Sequence, residues 1–164
     1  MCAIPFNGDT MSTFRTLLLP ATLAATLLFA GCASTTSSTS PDALTAHAWA
    51  LVEATDADGR LDTDLTGGSR APIELSFQPD RIGVSNACNG MGGNYTLKGD
   101  TLEVGMLMQT MMACEPPLMA RENAIKQRLE KPLQVQLSDA GTRLTLRNGA
   151  GIMTFQPAAD HSAH

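Results

Sequence analysis

Residues 92–104, GGNYTLKGDTLEV, contain two short strand patterns around one tight turn, which is the clearest indication of the fold in this chain. The two runs, residues 92–97 and 101–104, flank Lys98-Gly99-Asp100. Glycine and aspartate between two such runs are typical of a β-hairpin turn. The sequence therefore predicts an antiparallel hairpin within a mainly β-structured domain.

Similar strand patterns lie on both sides of this hairpin. In residues 72–77, PIELSF, apolar side chains alternate, so that Ile73, Leu75 and Phe77 share one face. Residues 49–52, WALV, predict a first strand with Trp49 as a core anchor. Residues 56–69 are rich in Asp, Gly and Thr and predict a long loop. The other predicted strands are residues 81–87, 133–137, 143–146 and 152–155, with turns at 139–141 and 148–149.

One helix pattern interrupts the strands. Two prolines at positions 116 and 117 fit a helix start, residues 118–130 place Leu118, Ile125 and Leu129 on one face, and Pro132 ends the pattern. Strands, one helix and further strands with short turns predict an α+β fold. We expect a small, mostly antiparallel, partly open barrel-like sheet with the helix packed against it.

The N-terminal residues have the pattern of a secretory signal. Arg15 precedes an uncharged, mostly apolar run over residues 16–29. Residues 28–32, LFAGC, resemble a bacterial lipobox, although Phe29 stands where leucine is usual. In that motif the cysteine receives a diacylglycerol and its new amino group is acylated, which gives a stable membrane anchor. We therefore predict that Cys32 is lipidated.

These patterns divide the chain into four segments. Residues 1–31 form the predicted signal peptide, with translation starting at Met1 or, favoured by the basic residue that follows it, at Met11. Residues 32–43 comprise the lipidated cysteine and a flexible tether, residues 44–157 the globular domain, and residues 158–164 a disordered tail. Because Ala33 rather than aspartate follows the cysteine, we expect a cell-envelope lipoprotein of the outer membrane that faces the periplasm.

Composition excludes several classes of function. The formal net charge is −5, without clusters of Lys or Arg, so a nucleic-acid partner is not expected. The three histidines, at positions 47, 161 and 164, form no recognisable grouping with a nucleophile. We therefore expect a protein without enzymatic activity, without a cofactor or metal, and monomeric.

The cysteines fit an oxidising compartment. With Cys32 acylated and Cys2 ahead of the second possible start, Cys88 and Cys114 remain. A disulfide between them is the favoured prediction, and two separately buried thiols are the alternative.

Several short motifs resemble the META domain family, which includes heat-shock lipoproteins of the HslJ type. They comprise Cys88-Asn89-Gly90, then Gly93-Asn94-Tyr95, then Thr110-Met111-Met112-Ala113-Cys114, and Glu122 in the helix. The resemblance extends over about residues 44–155, and it departs from the family at Met111, where many members carry a basic residue. It implies a small α+β barrel-like fold and a link to envelope stress and antibiotic tolerance, and it implies no catalytic residues.

The sharpest chemical signal is a methionine cluster. Met106, Met108, Met111 and Met112 lie within seven residues, close to Cys114. Thioethers suit Cu(I), but methionine also fills core gaps or forms adaptable apolar surfaces. We favour an apolar surface that binds a lipid or an envelope protein.

Two alternatives remain open. One is an inhibitor of hydrolases or an assembly factor acting through the loop of residues 56–70, and the other is Cu(I) handling by the methionine cluster. Glu122 is either a functional carboxylate or a structural partner of Arg121, Lys126 or a backbone donor.

Overall fold

The computed structural model describes residues 39–159, and these form one antiparallel barrel with helices at its ends. The predicted signal peptide, Cys32 and most of the tether lie outside the described residues, as do residues 160–164. The helices are α1 (Pro41–Thr45), α2 (Thr63–Thr66) and α3 (Pro116–Leu129). The strands are β1 (Ala48–Thr55), β2 (Glu74–Phe77), β3 (Arg81–Ser85), β4 (Met91–Lys98), β5 (Thr101–Val104), β6 (Met108–Gln109), β7 (Leu133–Ser138), β8 (Arg143–Asn148) and β9 (Gly151–Pro157).

Eight of the strands close into a ring. Their order is β3-β2-β1-β9-β8-β7-β5-β4, and β3 pairs with β4 to complete the circuit. The seam between β5 and β7 is short, with only the pairs Thr101–Gln134 and Leu102–Leu133. The predicted α+β barrel-like fold is therefore confirmed, and its strand pairings form a closed barrel.

The hairpin predicted for residues 92–104 is present. Strand β4 pairs with β5 from Tyr95–Val104 to Lys98–Thr101, and Gly99 opens the two-residue turn with φ +60°. A positive φ at the first central position is the conformation that glycine provides in such turns. Beyond Val104 the strand bulges and then resumes as β6, where Met108 pairs with Gly92.

Several predicted boundaries were wrong for identifiable reasons. Strand β3 ends at Ser85 instead of residue 87, because Asn86 has φ +64° and leaves the extended conformation. The predicted loop 56–69 contains α2, in which the side chain of Asp62 accepts a hydrogen bond from the backbone N–H of Leu65 at 3.3 Å. Helix α1 starts at Pro41, inside the segment assigned to the tether, and its Leu44 is fully buried.

The core fills the barrel interior. Trp49 is fully buried, and its indole N–H donates to the carbonyl of Leu44 at 2.8 Å, which joins α1 to β1. The alternate residues of the strands that point inward are apolar, as in Val84, Leu146 and Phe155. Leu118, predicted to share the buried face of the helix, is only half-buried.

The barrel has two distinct ends. At the first, which we call the terminus end, β1 begins at Ala48 and β9 ends at Pro157. The β4–β5 turn lies at the same end of the barrel. At the second, the helix end, lie α2, α3 and the connections before β4 and after β5. The chain therefore enters and leaves the barrel at one end, and α3 covers the other.

Candidate functional site

Helix α3 covers the helix end of the barrel with charged side chains. Its buried face contains Arg121, Glu122 and Arg128, which are 3–5% exposed, together with Ile125 and Leu129. Buried charges are costly unless they are paired or hydrogen-bonded. Each of these three side chains therefore has to find partners in the surrounding loops.

Arg121 binds the connection between α2 and β2. Its Nη2 donates to the carbonyl of Gly67 at 2.9 Å, and its Nη1 donates to the carbonyls of Ala71 at 2.9 Å and Asn86 at 3.5 Å. Burial lowers the pKa of Arg121 from its usual value, and the neighbouring charge of Arg70 lowers it further. The guanidinium therefore joins two loops to the helix through their backbone carbonyls.

Arg128, two turns farther along the same face of α3, also binds neighbouring loops. Its Nη2 donates to Asp62 Oδ2 at 2.7 Å and to the carbonyl of Thr55 at 2.8 Å. Gly151 lies directly against this pair: a Cβ there would approach Thr55 O to 2.0 Å and Arg128 Nη1 to 2.7 Å. With φ +134° and the backbone of Thr55 this close, position 151 requires glycine.

Glu122 and Asn89 form the centre of a third set of contacts. The backbone N–H and the Nδ2 group of Asn89 both donate to Glu122 Oε2, at 2.7 and 3.0 Å, and Gln109 Nε2 donates to Glu122 Oε1 at 3.1 Å. Asn89 Oδ1 accepts from the hydroxyl of Thr110 at 2.9 Å and from the N–H of Met112 at 2.7 Å. We call these residues, Asn89, Gln109, Thr110, Met112 and Glu122, the Asn89 network.

A disulfide holds the same segment a second time. Cys88 and Cys114 are bonded, with Cα atoms 5.8 Å apart. Because Cys88 precedes Asn89 and Cys114 lies two residues beyond Met112, the bond and the Asn89 network fix residues 110–114 at both ends. Separate buried thiols, the alternative prediction, do not occur in this structure.

Four exposed methionines lie on this segment or just before it: Met111 and Met112 within residues 110–114, Met108 in β6, and Met106 in the connection after β5. Met106, Met108, Met111 and Met112, which we call the methionine surface, are 89%, 66%, 96% and 58% exposed. Met91, by contrast, is buried in the core. Isolated exposed apolar side chains are ordinary on a protein surface, whereas four within seven residues make this stretch a candidate contact surface.

The remaining motif residues are scattered around this region. Gly93 lies where a Cβ would approach the carbonyl of Met106 to 2.8 Å, so glycine allows β4 to pass the bulge after β5. Gly90 is exposed, and its carbonyl accepts from the N–H of Thr110 at 3.2 Å. Tyr95 lies in the core away from the network and packs edge-on against Phe77, with ring centroids 5.4 Å apart. Apart from the disulfide, Asn89, Thr110 and Glu122 are therefore the motif residues whose side chains meet.

Arg121 was predicted only as a possible partner of Glu122, which instead accepts from the backbone N–H of Asn89, and Arg128 and Gln109 were missed. Positions 121, 125 and 128 follow helical spacing, so the two arginines share the face of Ile125. Charged residues on the apolar face of a helix were the available signal. Gln109 gave no comparable signal, because its role depends on the return of the chain past Gly92 in β6.

Two shallow clefts of about 250 Å³ each open on the surface. One, between α2 and the start of α3, is lined by Arg70 and Arg121, and Arg70 forms an ion pair with Glu115 at 2.6 Å. The other, over β2, β3 and β4, is lined by Ser76, Arg81 and Gly92.

Residues 39–159 contain neither a cluster of metal-binding side chains nor a membrane-spanning helix. No three His, Cys, Asp or Glu side chains in this part of the chain are grouped closely enough to hold a metal ion. With Cys114 in a disulfide, no thiolate is available beside the methionines for Cu(I). No helix within the same residues is both long enough and apolar enough to cross a bilayer.

The fold and the site define a class of protein. It is a small antiparallel barrel whose helix end is closed by a helix with buried charges and whose methionine-bearing loop is fixed by a disulfide. The sequence profile of the META domain matches residues 42–160. The chain belongs to the META domain family, as its motifs predict.

Solved structures support the same fold. One protein determined by NMR is 28% identical, with a TM-score of 0.56, and the alignment covers 73% of this chain and 95% of that chain. Another, an NMR structure of a protein from Burkholderia xenovorans, is 25% identical, with a TM-score of 0.56, and the alignment covers 95% of this chain and 99% of that one. No protein with curated annotation matches this chain.

Proposed function

We propose that this META domain protein is a non-enzymatic envelope lipoprotein that binds an apolar partner through its methionine surface. The observation that carries the proposal is the exposure of four methionines, of which Met111 and Met112 lie on the segment fixed by the Asn89 network and the Cys88–Cys114 bond, and Met106 and Met108 lie just before it. Holding an apolar segment in one conformation before binding reduces the entropy lost on association. Methionine then adapts its unbranched side chain to the surface it meets.

The placement in the envelope rests on the sequence. A lipobox-like segment ending at Cys32, a preceding apolar run and a disulfide between the two remaining cysteines all suit a protein exported to an oxidising compartment. By resemblance to the family, the role of the protein lies in envelope stress or antibiotic tolerance. The proposed location is the periplasmic side of the outer membrane.

A second candidate function uses the loop of residues 56–70. Leu61 in this loop is 61% exposed, and the loop is bound to α3 through the Asp62–Arg128 ion pair. A rigid protruding loop with an apolar residue suits an inhibitor of hydrolases or an assembly factor. The two functions differ in which exposed apolar residue is required.

The test is a complementation experiment with matched variants. A strain whose gene for this protein has been deleted would produce the wild-type protein, the double variant Met108→Asp/Met111→Asp, or Leu61→Asp. The growth of each strain would be measured under heat and with novobiocin. Because all three positions are exposed, each variant should keep its fold, which thermal unfolding of the purified proteins would verify. Loss of tolerance in the methionine variant alone supports the methionine surface.

Two other results would count against the proposal. Loss with Leu61→Asp alone would favour the loop of residues 56–70. Full tolerance in a folded methionine variant would remove the methionine surface from the function.

A further inference from the structure

The methionine surface and the start of the described part of the chain lie at opposite ends of the barrel. Strand β1 begins at Ala48, which accepts a hydrogen bond from the N–H of Ala158 at 2.7 Å, so both terminal strands meet at the terminus end. Met108 pairs with Gly92, at the other end of β4 from Lys98 and the β4–β5 turn. The register of the sheet fixes this separation.

The chain that precedes the barrel is also held at the terminus end. The N–H of Thr39 donates to Asp100 Oδ1 at 2.8 Å, and Asp100 lies in the β4–β5 turn. Thr39 is seven residues after Cys32. At about 3.5 Å a residue, a fully extended chain of that length spans at most about 25 Å. An anchor at Cys32 would therefore keep the terminus end within about 25 Å of the bilayer.

We propose that the methionine surface is turned away from the bilayer that holds Cys32, and that its occupant is an apolar segment of a periplasmic protein. This inference rests on the proposed function, from which it takes the acylation of Cys32 and the use of the methionine surface. Lipid of the anchoring bilayer is the competing occupant.

The dimensions of the barrel favour the protein partner. Gly92 and Lys98 are six residues apart along β4, which at about 3.3 Å a residue is about 20 Å. With the usual strand tilt of 35–45°, the methionine surface lies about 15 Å farther along the barrel axis than the turn that holds Thr39. The formal net charge of −5 gives no attraction that would lay the domain flat on an anionic bilayer.

The experiment measures which end of the barrel is close to the membrane. The acylated full-length protein would be placed in vesicles of phosphatidylethanolamine and phosphatidylglycerol that contain a lipid with a quencher on its headgroup. A fluorophore would be attached to one introduced cysteine, Lys98→Cys at the terminus end or Met111→Cys at the helix end; both native positions are exposed. The oxidised Cys88 and Cys114 and the acylated Cys32 do not react with the dye.

We expect several-fold stronger quenching at position 98 than at position 111. A matched variant with about 20 Gly and Ser residues inserted after Ser38 should remove most of that difference, because a longer linker no longer holds one end near the surface. Equal quenching at the two positions without the insertion, or stronger quenching at position 111, overturns the inference and makes the bilayer the occupant.

The quenching experiment is independent of the complementation test. It involves no partner and leaves the methionine surface intact in the Lys98→Cys protein, so the orientation can fail while the methionine requirement stands. The mass of the N-terminal peptide reports acylation of Cys32 separately. An unacylated chain in the producing cell would overturn both the anchor and the orientation.

Discussion

Asn89 and Glu122 meet across 33 residues of sequence, with two hydrogen bonds of 2.7 and 3.0 Å converging on one carboxylate oxygen. Both residues are at most 3% exposed. The side-chain oxygen of Asn89 accepts hydrogen bonds from the hydroxyl of Thr110 and the N–H of Met112. The same side chain therefore joins helix α3 to the segment that bears Met111 and Met112. The geometry of the methionine surface therefore depends on a buried contact beneath it.

Replacing Asn89 by alanine should destabilise the domain by about 2–4 kcal/mol. Hydrogen bonds contribute about 1 kcal/mol each, and a buried carboxylate and a buried N–H that lose their partner cost more. Asn89→Asp should be worse, because it places a second carboxylate beside Glu122. Urea unfolding followed by circular dichroism measures the change.

The matched control is Asn94→Ala. Asn94 is exposed on β4, and its side chain makes no hydrogen bond within the described residues. Its replacement should change the free energy of unfolding by no more than about 0.5 kcal/mol. Equal effects of the two alanine variants would show that the Asn89 network contributes nothing specific.

Removing the disulfide should cost about 3–4 kcal/mol in the chain-entropy model, because it joins residues 26 apart in sequence. The double variant Cys88→Ser/Cys114→Ser should remain folded, since the Asn89 network still holds the segment. Hydrogen exchange of the amides of residues 110–114 should become faster than in the oxidised protein. An unchanged unfolding midpoint on reduction would contradict the prediction.

Breaking the Asp62–Arg128 pair should be among the most destabilising single changes at the helix end. Arg128 is 5% exposed, and Asp62→Ala leaves its charge buried without a carboxylate, which costs about 3–5 kcal/mol. Asp58→Ala is the control, because the Asp58–Arg60 pair is exposed and such pairs contribute less than about 1 kcal/mol. Thermal unfolding of both variants distinguishes a buried pair from a surface pair.

Tyr95 should make the stability of the domain sensitive to alkali. Its hydroxyl is buried and has no hydrogen-bond partner within residues 39–159, and burial, with a smaller contribution from Asp80, raises its pKa above the usual value of 10.0. The unfolded chain therefore loses this proton first. The stabilising effect of the neutral phenol is complete below pH 10.0 and is lost as the pH rises toward the folded-state pKa.

The variant Tyr95→Phe isolates this effect. It should unfold with less dependence on pH above 10.0, and at neutral pH it should be at least as stable as the wild type, because it removes a buried hydroxyl without a partner. Tyr95 is the single tyrosine of the chain, so tyrosinate absorbance reports its titration directly. A normal titration in the folded protein would contradict the burial of the hydroxyl.

The sequence predicts the β-structure better than the contacts that complete it. The hairpin of β4 and β5 follows from local signals, alternating side chains and Gly99, and β5 has the predicted bounds. Helix α2 was missed because four residues carry no periodicity, and its stability comes from the Asp62 cap and from burial of Leu65. Local patterns fix the strands, whereas burial against distant residues fixes the short elements.

The candidate site was predictable in its residue types and not in its geometry. The motif contained Asn89, Thr110 and Glu122. No local pattern, however, indicates that Asn89 donates two hydrogen bonds to one carboxylate oxygen of Glu122, 33 residues away. Arg121 and Arg128 would be assigned to solvent by their charge. Their burial is explained by distant partners, the carbonyls of Gly67 and Ala71 for Arg121 and the carbonyl of Thr55 with the carboxylate of Asp62 for Arg128.

If the methionine surface binds a protein, photo-crosslinking in intact cells should capture that protein. A photoreactive residue would replace Met111 and, as a control, the exposed Gln136 on β7. We expect one protein adduct at position 111 and none at position 136. The adduct at position 111 should be lost when Met108→Asp is added. Lipid adducts alone at position 111, or the same proteins at both positions, would contradict this expectation.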